Sequence, residues 1–278
     1  MIKRYKPTTS SLRHLTVSDY SVLTGDKPFK KLTSSKKRSV GRSKGRITVR
    51  HKGGGNKKLY REITFGEQKK GIPGIVRTIE YDPYRSSFIS LISYKDGDWC
   101  YILAPKNLKV GDEIICNGKT PLRKGNRLEL KNVPVGSLVH NIEVKVGGGG
   151  KLAKSAGSSA QIITQDGKYT HLKMPSSEIR KVLDICYASL GQLSNIEHGM
   201  INIGKAGRSR HLGRRPKVRG TAMNPIDHPY GGGEGKTQRG TKRPKSIYGK
   251  VTGGVKTRKK KKYSNKLIIN KRKKKRKK

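Results

Sequence analysis

Gly74-Ile-Val-Arg-Thr-Ile-Glu-Tyr81 alternates apolar and polar side chains with a period near two, the signature of a strand that buries one face. Working outward, four further short segments share its character: Tyr60–Phe65, Phe88–Tyr94, Trp99–Leu103 and Asp112–Cys116. Turn-forming clusters separate them, namely Lys70-Gly-Ile-Pro-Gly74, Asp82-Pro-Tyr-Arg85, Lys95-Asp-Gly-Asp98 and Ala104-Pro-Lys-Asn107. Five short strands at this spacing predict a small closed barrel.

A second group of strands follows Val133-Pro-Val-Gly136: Leu138–Val146, Ala160–Thr164, Tyr169–Met174, Glu178–Asp184 and Ala188–Leu193. A glycine-rich loop at Gly147–Gly150 and a turn at Asp166-Gly167 punctuate it. No stretch before Ile201 holds helical periodicity over three turns. The fold class is therefore predicted to be all-β. An oligonucleotide-binding (OB-fold) Greek-key barrel over 59–125 is followed by an SH3-like barrel over 126–200. Long, basic, irregular extensions flank them at 1–58 and 201–278.

Charge divides the chain in the same places. Residues 1–58 hold 17 Lys and Arg against 2 acidic residues, 59–200 hold 20 against 14, and 201–278 hold 28 against 2, within a total of +47. A nearly balanced centre is a foldable core, and two polycationic arms repel themselves until a polyanion neutralises them. The arms carry too little apolar surface to offset a backbone entropy of roughly 1–2 kcal/mol per residue, so they are expected to order on a partner. Nucleic acid is the partner this distribution predicts.

Other function classes find little support. Cys100, Cys116 and Cys186 have no paired spacing, so neither a disulfide framework nor a cysteine-based zinc site is indicated, and a reducing compartment fits. Apolar runs fall far short of a membrane span, and the opening Met1-Ile-Lys-Arg-Tyr-Lys6 has no apolar core of a secretory signal. No membrane partner is expected. Gly233-Glu-Gly-Lys-Thr237 and Asn117-Gly-Lys-Thr120 suggest phosphate loops, but Tyr230 and Glu113 stand where the first glycine is required. The seven histidines form no His-x-x-x-His pair, and no Ser-His-Asp signature can be assembled. The chain is not expected to be an enzyme and no cofactor is expected, Mg2+ entering only with RNA.

Candidate RNA-binding residues lie mostly in the arms. The first arm closes on Gly45-Arg-Ile-Thr-Val-Arg-His-Lys-Gly-Gly-Gly55, which offers Arg46, Arg50 and His51 beside a glycine run. The second opens with Lys205, Arg208, Arg210, Arg214, Arg215 and Arg219, whose guanidinium forks suit bidentate phosphate contacts. Arg219-Gly-Thr-Ala-Met-Asn-Pro-Ile-Asp-His-Pro-Tyr-Gly-Gly-Gly-Glu-Gly235 adds Asn224, Asp227 and His228, with Lys236 just beyond. Irregular, cationic and shaped by proline and glycine, it suits a folded RNA better than a regular duplex. His228 also reads as a histidine held structurally by Asp227 and local turns. The last 23 residues, Lys256–Lys278, hold 15 Lys and Arg, either a solubilising or localisation tail or a nucleic-acid-binding extension.

Val218–Gly235 closely resembles the signature of the universal large-subunit ribosomal protein two (the L-two family, bacterial and organellar type). The likeness extends through Gly45-Arg-Ile-Thr48, His51 with Gly53–Gly55, and Ile79-Glu-Tyr-Asp-Pro83 with Arg85. It continues in Tyr101-Ile-Leu-Ala-Pro105, Pro134-Val-Gly136, His140-Asn141, Ser155-Ala-Gly157 and Gly204-Lys-Ala-Gly207. The resemblance implies the same two barrels and primary binding to large-subunit rRNA, with Arg85 and Lys154 at rRNA-binding positions. It also implies a C-terminal extension toward the peptidyl-transferase region near Asp227 and His228, and a place at a bridge to the small subunit. RNA is the catalyst there. This chain departs from the family pattern at Lys154 (commonly Arg), at Tyr230 and Asn56 (commonly His) and at His211 (commonly Trp).

The expected function is thus structural: a primary rRNA-binding protein supporting large-subunit assembly, intersubunit association and the architecture of the peptidyl-transferase region. Neighbouring ribosomal proteins, the small subunit and tRNA are the further partners considered. A free-standing RNA or DNA chaperone is the alternative from another class, and an enzyme needing a nucleic-acid scaffold is the third. The Lys-heavy composition, with Ile and Asn in the tail, favours an organelle over a bacterial cytoplasm, and the Thr9-Ser-Ser-Leu-Arg13 opening with Gly233-Glu-Gly-Lys-Thr237 puts the mitochondrial matrix ahead of the plastid.

Overall fold

The computed structural model describes residues 2–25, 27–36, 41–65, 68–235, 238–254 and 256–272. The chain divides into two units. One comprises 1–37, 57–205 and 266–278, and the other comprises 38–56 and 206–265.

The first unit is built on two antiparallel sheets. In one, Gly74–Glu80 and Ile89–Tyr94 are central, flanked by Glu113–Ile114 and Trp99–Leu103. A parallel bridge from Ile63 to Tyr101 continues the Leu59–Arg61 segment along its edge. The other sheet runs Arg127–Glu129, Tyr187–Leu190, Leu138–His140, Ala160–Asp166, Tyr169–Lys173, Ile179–Leu183 and Ile268–Asn270. This nearly all-β architecture, with one sheet curled into a half barrel, is consistent with an oligonucleotide-binding barrel followed by an SH3-like one.

Side-chain alternation explains where the cores sit. The second sheet encloses Leu128, Leu130, Val139, Ile142, Ile162, Leu172 and Val182, all buried. The first sheet is buried on both faces. Val76, Ile79, Ile92 and Ile114 pack on one side, and Ile89, Leu91, Tyr101 and Leu103 on the other. The second of these faces is covered by Phe29, Leu32 and Ile63.

That cover comes from inside the segment expected as the N-terminal extension (1–58), part of which packs on the first sheet. Residues before 37 belong with the first unit. Ile2–Arg4 pairs with Thr16–Ser18, and Thr33–Ser35 pairs with Leu59–Arg61. Phe29 stacks on Trp99 with ring centroids 5.4 Å apart, and its amide donates to the Tyr101 hydroxyl at 2.8 Å. That hydroxyl in turn donates to Glu80 Oε2 at 2.8 Å, and burial raises its pKa well above that of an ordinary phenol. The physical reason is apolar: a two-faced strand needs a lid, and Phe29 and Leu32 supply it. The start of the C-terminal extension packs there too. Residues 201–205 stay with the first unit, Thr16 donating its amide to Asn202 O at 3.1 Å. Ile268–Asn270 returns as an edge strand on Ile179–Leu183.

A buried charge pair fixes the second sheet. Arg127 Nη2 lies 3.8 Å from Glu143 Oε1, and Arg127 Nη1 donates to Asn141 O at 2.7 Å. Glu143 accepts the amides of Gly149 and Tyr187 at 3.1 and 3.0 Å. Such a pair is tolerated because nearly every lone pair and proton finds a partner.

The second unit has a different construction. Arg42–Ser43 and Arg46–Ile47 form a hairpin across Lys44-Gly45. Ala206–His211 is a short helix, the one α-helix among the described residues. Residues 51–56 run antiparallel to 211–216 through Gly53 N–H to Gly213 O at 3.0 Å, Asn56 N–H to His211 O at 2.9 Å, and Arg215 N–H to His51 O at 3.1 Å. Gly55 is required there, since a Cβ on it would lie 2.9 Å from Gly213 Cα. Every buried hydrophobic residue described belongs to the first unit.

Candidate nucleic-acid interface

In the first unit the site grows from a turn. Asp82-Pro-Tyr-Arg85 closes on itself because the Asp82 carboxylate accepts the Tyr84 amide at 2.8 Å. Its other oxygen receives Arg85 Nη1 at 2.5 Å, and Asp82 is fully buried. Arg85 Nη1 also donates to Arg61 O at 3.1 Å, and Nη2 to the Tyr60 hydroxyl at 2.9 Å. Three of the five guanidinium donors are thereby engaged within the protein.

Around that turn, rings and cations alternate. Tyr60 and Tyr84 meet edge to face at 5.5 Å. Lys36 Nζ stands 3.4 Å from the Tyr60 ring centroid, and Arg85 Cζ is 4.9 Å from the same ring. Lys58 Nζ lies 6.0 Å from the Tyr84 ring. Lys154, exposed, sits with Nζ 5.6 Å from the Phe65 ring. Arg85 and Lys154, distant in sequence, line one cleft of about 330 Å3 with Tyr60, Ile63, Phe65 and Leu103. Tyr60, Phe65, Tyr84 and Lys36 were not among the residues singled out from sequence. For Tyr60 and Tyr84 the signal was the interleaving of aromatic and basic residues in Lys57-Lys-Leu-Tyr-Arg61 and Pro83-Tyr-Arg85, and Lys36 and Phe65 had none.

The second unit gathers most of the remaining candidates. Arg46, Arg50, Arg214, Arg215 and Arg219 are exposed, while His51, Arg208 and Arg210 are half-buried. His51 Nδ1 donates to Pro216 O at 3.0 Å, and Arg50 Cζ lies 6.0 Å from the Tyr248 ring. Arg208 and Arg210 each have a buried Nη1 without an acceptor among the described residues. Lys205 is exposed and belongs to the first unit. Lys236 lies outside the described residues.

The Asn224–Gly232 loop is folded on its own backbone. Asn224 O accepts the amides of Asp227 and His228 at 3.0 and 3.3 Å, and His228 O accepts the Gly231 amide at 2.8 Å. The Tyr230 amide donates to His228 Nδ1 at 3.1 Å, which places the proton of a neutral imidazole on Nε2. The rings of His228 and Tyr230 lie 4.8 Å apart, and the Tyr230 hydroxyl accepts the Lys245 amide. His228 is thus held by Tyr230 and by contact with Gly220, and Asp227 contributes only its backbone amide. Of the expected hold by Asp227 and local turns, the turn supplies the direct bond, since a backbone donor two residues ahead reaches Nδ1.

Charge separates the two units. The second has 24 Lys and Arg against 2 acidic residues, +22 over 79 residues, with no buried hydrophobic residue among those described. The first carries an aromatic and cationic cleft on a β framework. Together these features define a structural protein directed at RNA. Residues 29–116 match the family model described as Ribosomal Proteins L2, RNA binding N-terminal domain, and residues 123–249 match Ribosomal Proteins L2, C-terminal domain. The chain belongs to the ribosomal protein L2 family and is a structural protein of the large ribosomal subunit.

Proposed function

We propose that the two units engage large-subunit rRNA in different ways: the first docks through the Arg85–Lys154 cleft, and the second inserts as a cationic, backbone-braced element. The carrying observation is the second unit's +22 charge with no buried hydrophobic residue among those described, a combination that demands a polyanion for compaction. Arg46, Arg50, His51, Arg208, Arg210, Arg214, Arg215, Arg219 and Asn224 are its contacts, with Lys205 and Lys236 flanking.

On this reading the protein is a primary rRNA binder that supports assembly and performs no catalysis itself. Residues 59–125 and 126–200 serve as the two docking barrels. Asp227 and His228 lie toward the peptidyl-transferase region and its tRNA, and the protein takes a place at a small-subunit bridge. Mg2+ enters only with the rRNA. The family signature in Val218–Gly235 supports these placements. Lysine-heavy composition favours an organellar ribosome over a bacterial one, and the Thr9–Arg13 and Gly233–Thr237 segments favour a mitochondrial one over a plastid one.

Counterion release provides the test. Log affinity for rRNA should fall with log salt by roughly 0.7–0.9 per neutralised phosphate, giving a steep slope in filter-binding titrations. A nearly flat slope would overturn the mechanism. Sedimentation in high salt separates this reading from that of an RNA chaperone, since a subunit constituent stays with large subunits and a chaperone leaves them.

A further inference from the structure

The Arg85–Lys154 cleft has a chemistry that phosphate binding alone does not explain. Arg85 has the weaker claim to a backbone phosphate, because its charge is met at 2.5 Å by the buried Asp82 and three of its donors are spent on Asp82, Arg61 O and Tyr60. Those bonds fix the Tyr60 ring. Lys154 is exposed and makes no ion pair among the described residues, so it is the cation left for an external anion. Phe65 and Tyr60 wall the cavity as half-buried aromatic surfaces, with Ile63 and Leu103 beside them.

We propose that this cleft takes one unpaired nucleotide of the rRNA, its base stacked on Phe65 and Tyr60 and its phosphate on Lys154, with Arg85 as a positioning residue for Tyr60. The proposal rests on the rRNA-binding reading above and deepens it. At about 330 Å3 the cleft admits a group of small-ligand size. Paired bases within an A-form helix present edges and backbone and keep their faces stacked on one another, so they cannot fill an aromatic slot. Splayed bases in loops and bulges can. Aromatic stacking is tolerant of base identity, so the cleft selects for an unstacked nucleotide more than for a particular base. On binding, Lys154 would exchange its place over the Phe65 ring for the phosphate and Lys36 would leave the Tyr60 ring, uncovering the faces on which the base lies.

The full-length chain is titrated against a single-stranded RNA of about 12 nucleotides carrying 2-aminopurine at its centre, whose fluorescence falls on stacking. The same strand annealed to its complement serves as competitor. The expected result is quenching by the native chain and by Phe65→Tyr, with the quench-reported affinity about tenfold weaker in Phe65→Leu and in Lys154→Ala. The duplex should compete at least about tenfold less well than the single strand. Lys154→Ala, at an exposed position, carries the test should Phe65→Leu fail to fold. Arg85→Lys should lose the quench while leaving the salt slope unchanged, as expected of a positioning role, whereas a phosphate contact would change the slope by about one in Arg85→Ala. Undiminished quenching in Phe65→Leu and Lys154→Ala, or equal competition by duplex, overturns the proposal while filter retention of rRNA leaves the broader reading intact. Loss of rRNA retention by the native chain overturns both.

Discussion

The two units of this chain solve the folding problem in opposite ways. The first encloses three apolar clusters and even buries a charge pair, so its structure is specified from within. The second has no buried hydrophobic residue among those described and is braced by backbone hydrogen bonds, close glycine contacts and a short helix. The difference teaches that stability and RNA affinity are separable here. Burial at roughly 25 cal/mol per Å2 of apolar surface sustains the first unit, whereas the second depends on neutralising charge that it concentrates.

The largest expected effect comes from removing the second unit. Replacing residues 38–56 and 206–265 with short polar linkers deletes 24 cations. Affinity for rRNA at moderate salt should drop by about a thousandfold or more, with a shallower salt slope. The melting temperature of what remains should stay within about 4 °C, the shift that roughly 1 kcal/mol produces in a domain of this size. A collapse of the first unit in calorimetry would show that the two are energetically inseparable. Truncation at residue 58 is a different experiment, since it also strips Phe29 and Leu32 from the first sheet.

A pair of point substitutions sharpens the contrast. Leu130 is fully buried in the second sheet's core, and Leu130→Ala should cost about 2–5 kcal/mol through lost contacts and a residual cavity. Ile226, in the second unit, is 98% exposed, and Ile226→Ala should change stability by less than about 0.5 kcal/mol. Urea unfolding of the two variants measures both. Comparable losses would erase the distinction between a unit with a core and one without.

Much of the first unit was legible because strand alternation is local. Gly74–Glu80, Ile89–Tyr94 and Trp99–Leu103 lie where the pattern of Gly74–Tyr81, Phe88–Tyr94 and Trp99–Leu103 puts them. The apolar lid was hidden because Phe29 and Leu32 stand alone among polar and basic residues, and their role exists only through contact with a distant sheet. The strand at Ile268–Asn270 was masked by the lysines around it. For the site, Arg85 and Lys154 came from the family resemblance, since no local pattern joins them. Of the rings between them, Tyr60 has a local signal and Phe65 none, and the meaning of that signal emerges only once the cleft is formed.

Acid separates the units more gently. His140 is buried, and desolvation lowers its pKa from 6.5 to about 4, with the nearby Arg127 charge pushing the same way and the bond to Gly191 O opposing. Its Nδ1–H donates to that carbonyl at 2.9 Å. The folded chain therefore resists protonation that the unfolded chain accepts. Stability from this group is complete above about pH 6.5 and is lost as pH falls toward 4, by about 3 kcal/mol in all. Denaturant titrations of the native chain and His140→Gln should show their difference shrinking across that window. A constant difference from pH 7 to 4.5 would break the assignment.

The smallest energetic effect belongs to the most shaped part of the second unit. A Cβ on Gly220 would lie 2.6 Å from Nδ1 and Cε1 of His228, so Gly220→Ala must tip the imidazole away from the Tyr230 amide. Gly207, in the same unit, has open space at its Cβ and serves as the control. Because the loop adds nothing to an apolar core, Gly220→Ala should change global stability by no more than about 1 kcal/mol. The His228 imidazole resonances should nevertheless move in Gly220→Ala and stay in place in Gly207→Ala. If His228 acts by its placement against RNA, Gly220→Ala and His228→Ala should impair subunit assembly to a similar degree, and subunits that do assemble should form peptide bonds normally. Native-looking subunits with a selective loss of peptide-bond formation in His228→Ala would instead assign His228 a part in the chemistry. Unmoved resonances in Gly220→Ala would mean that the loop is not held by Gly220 at all, leaving the Tyr230 amide as its main brace.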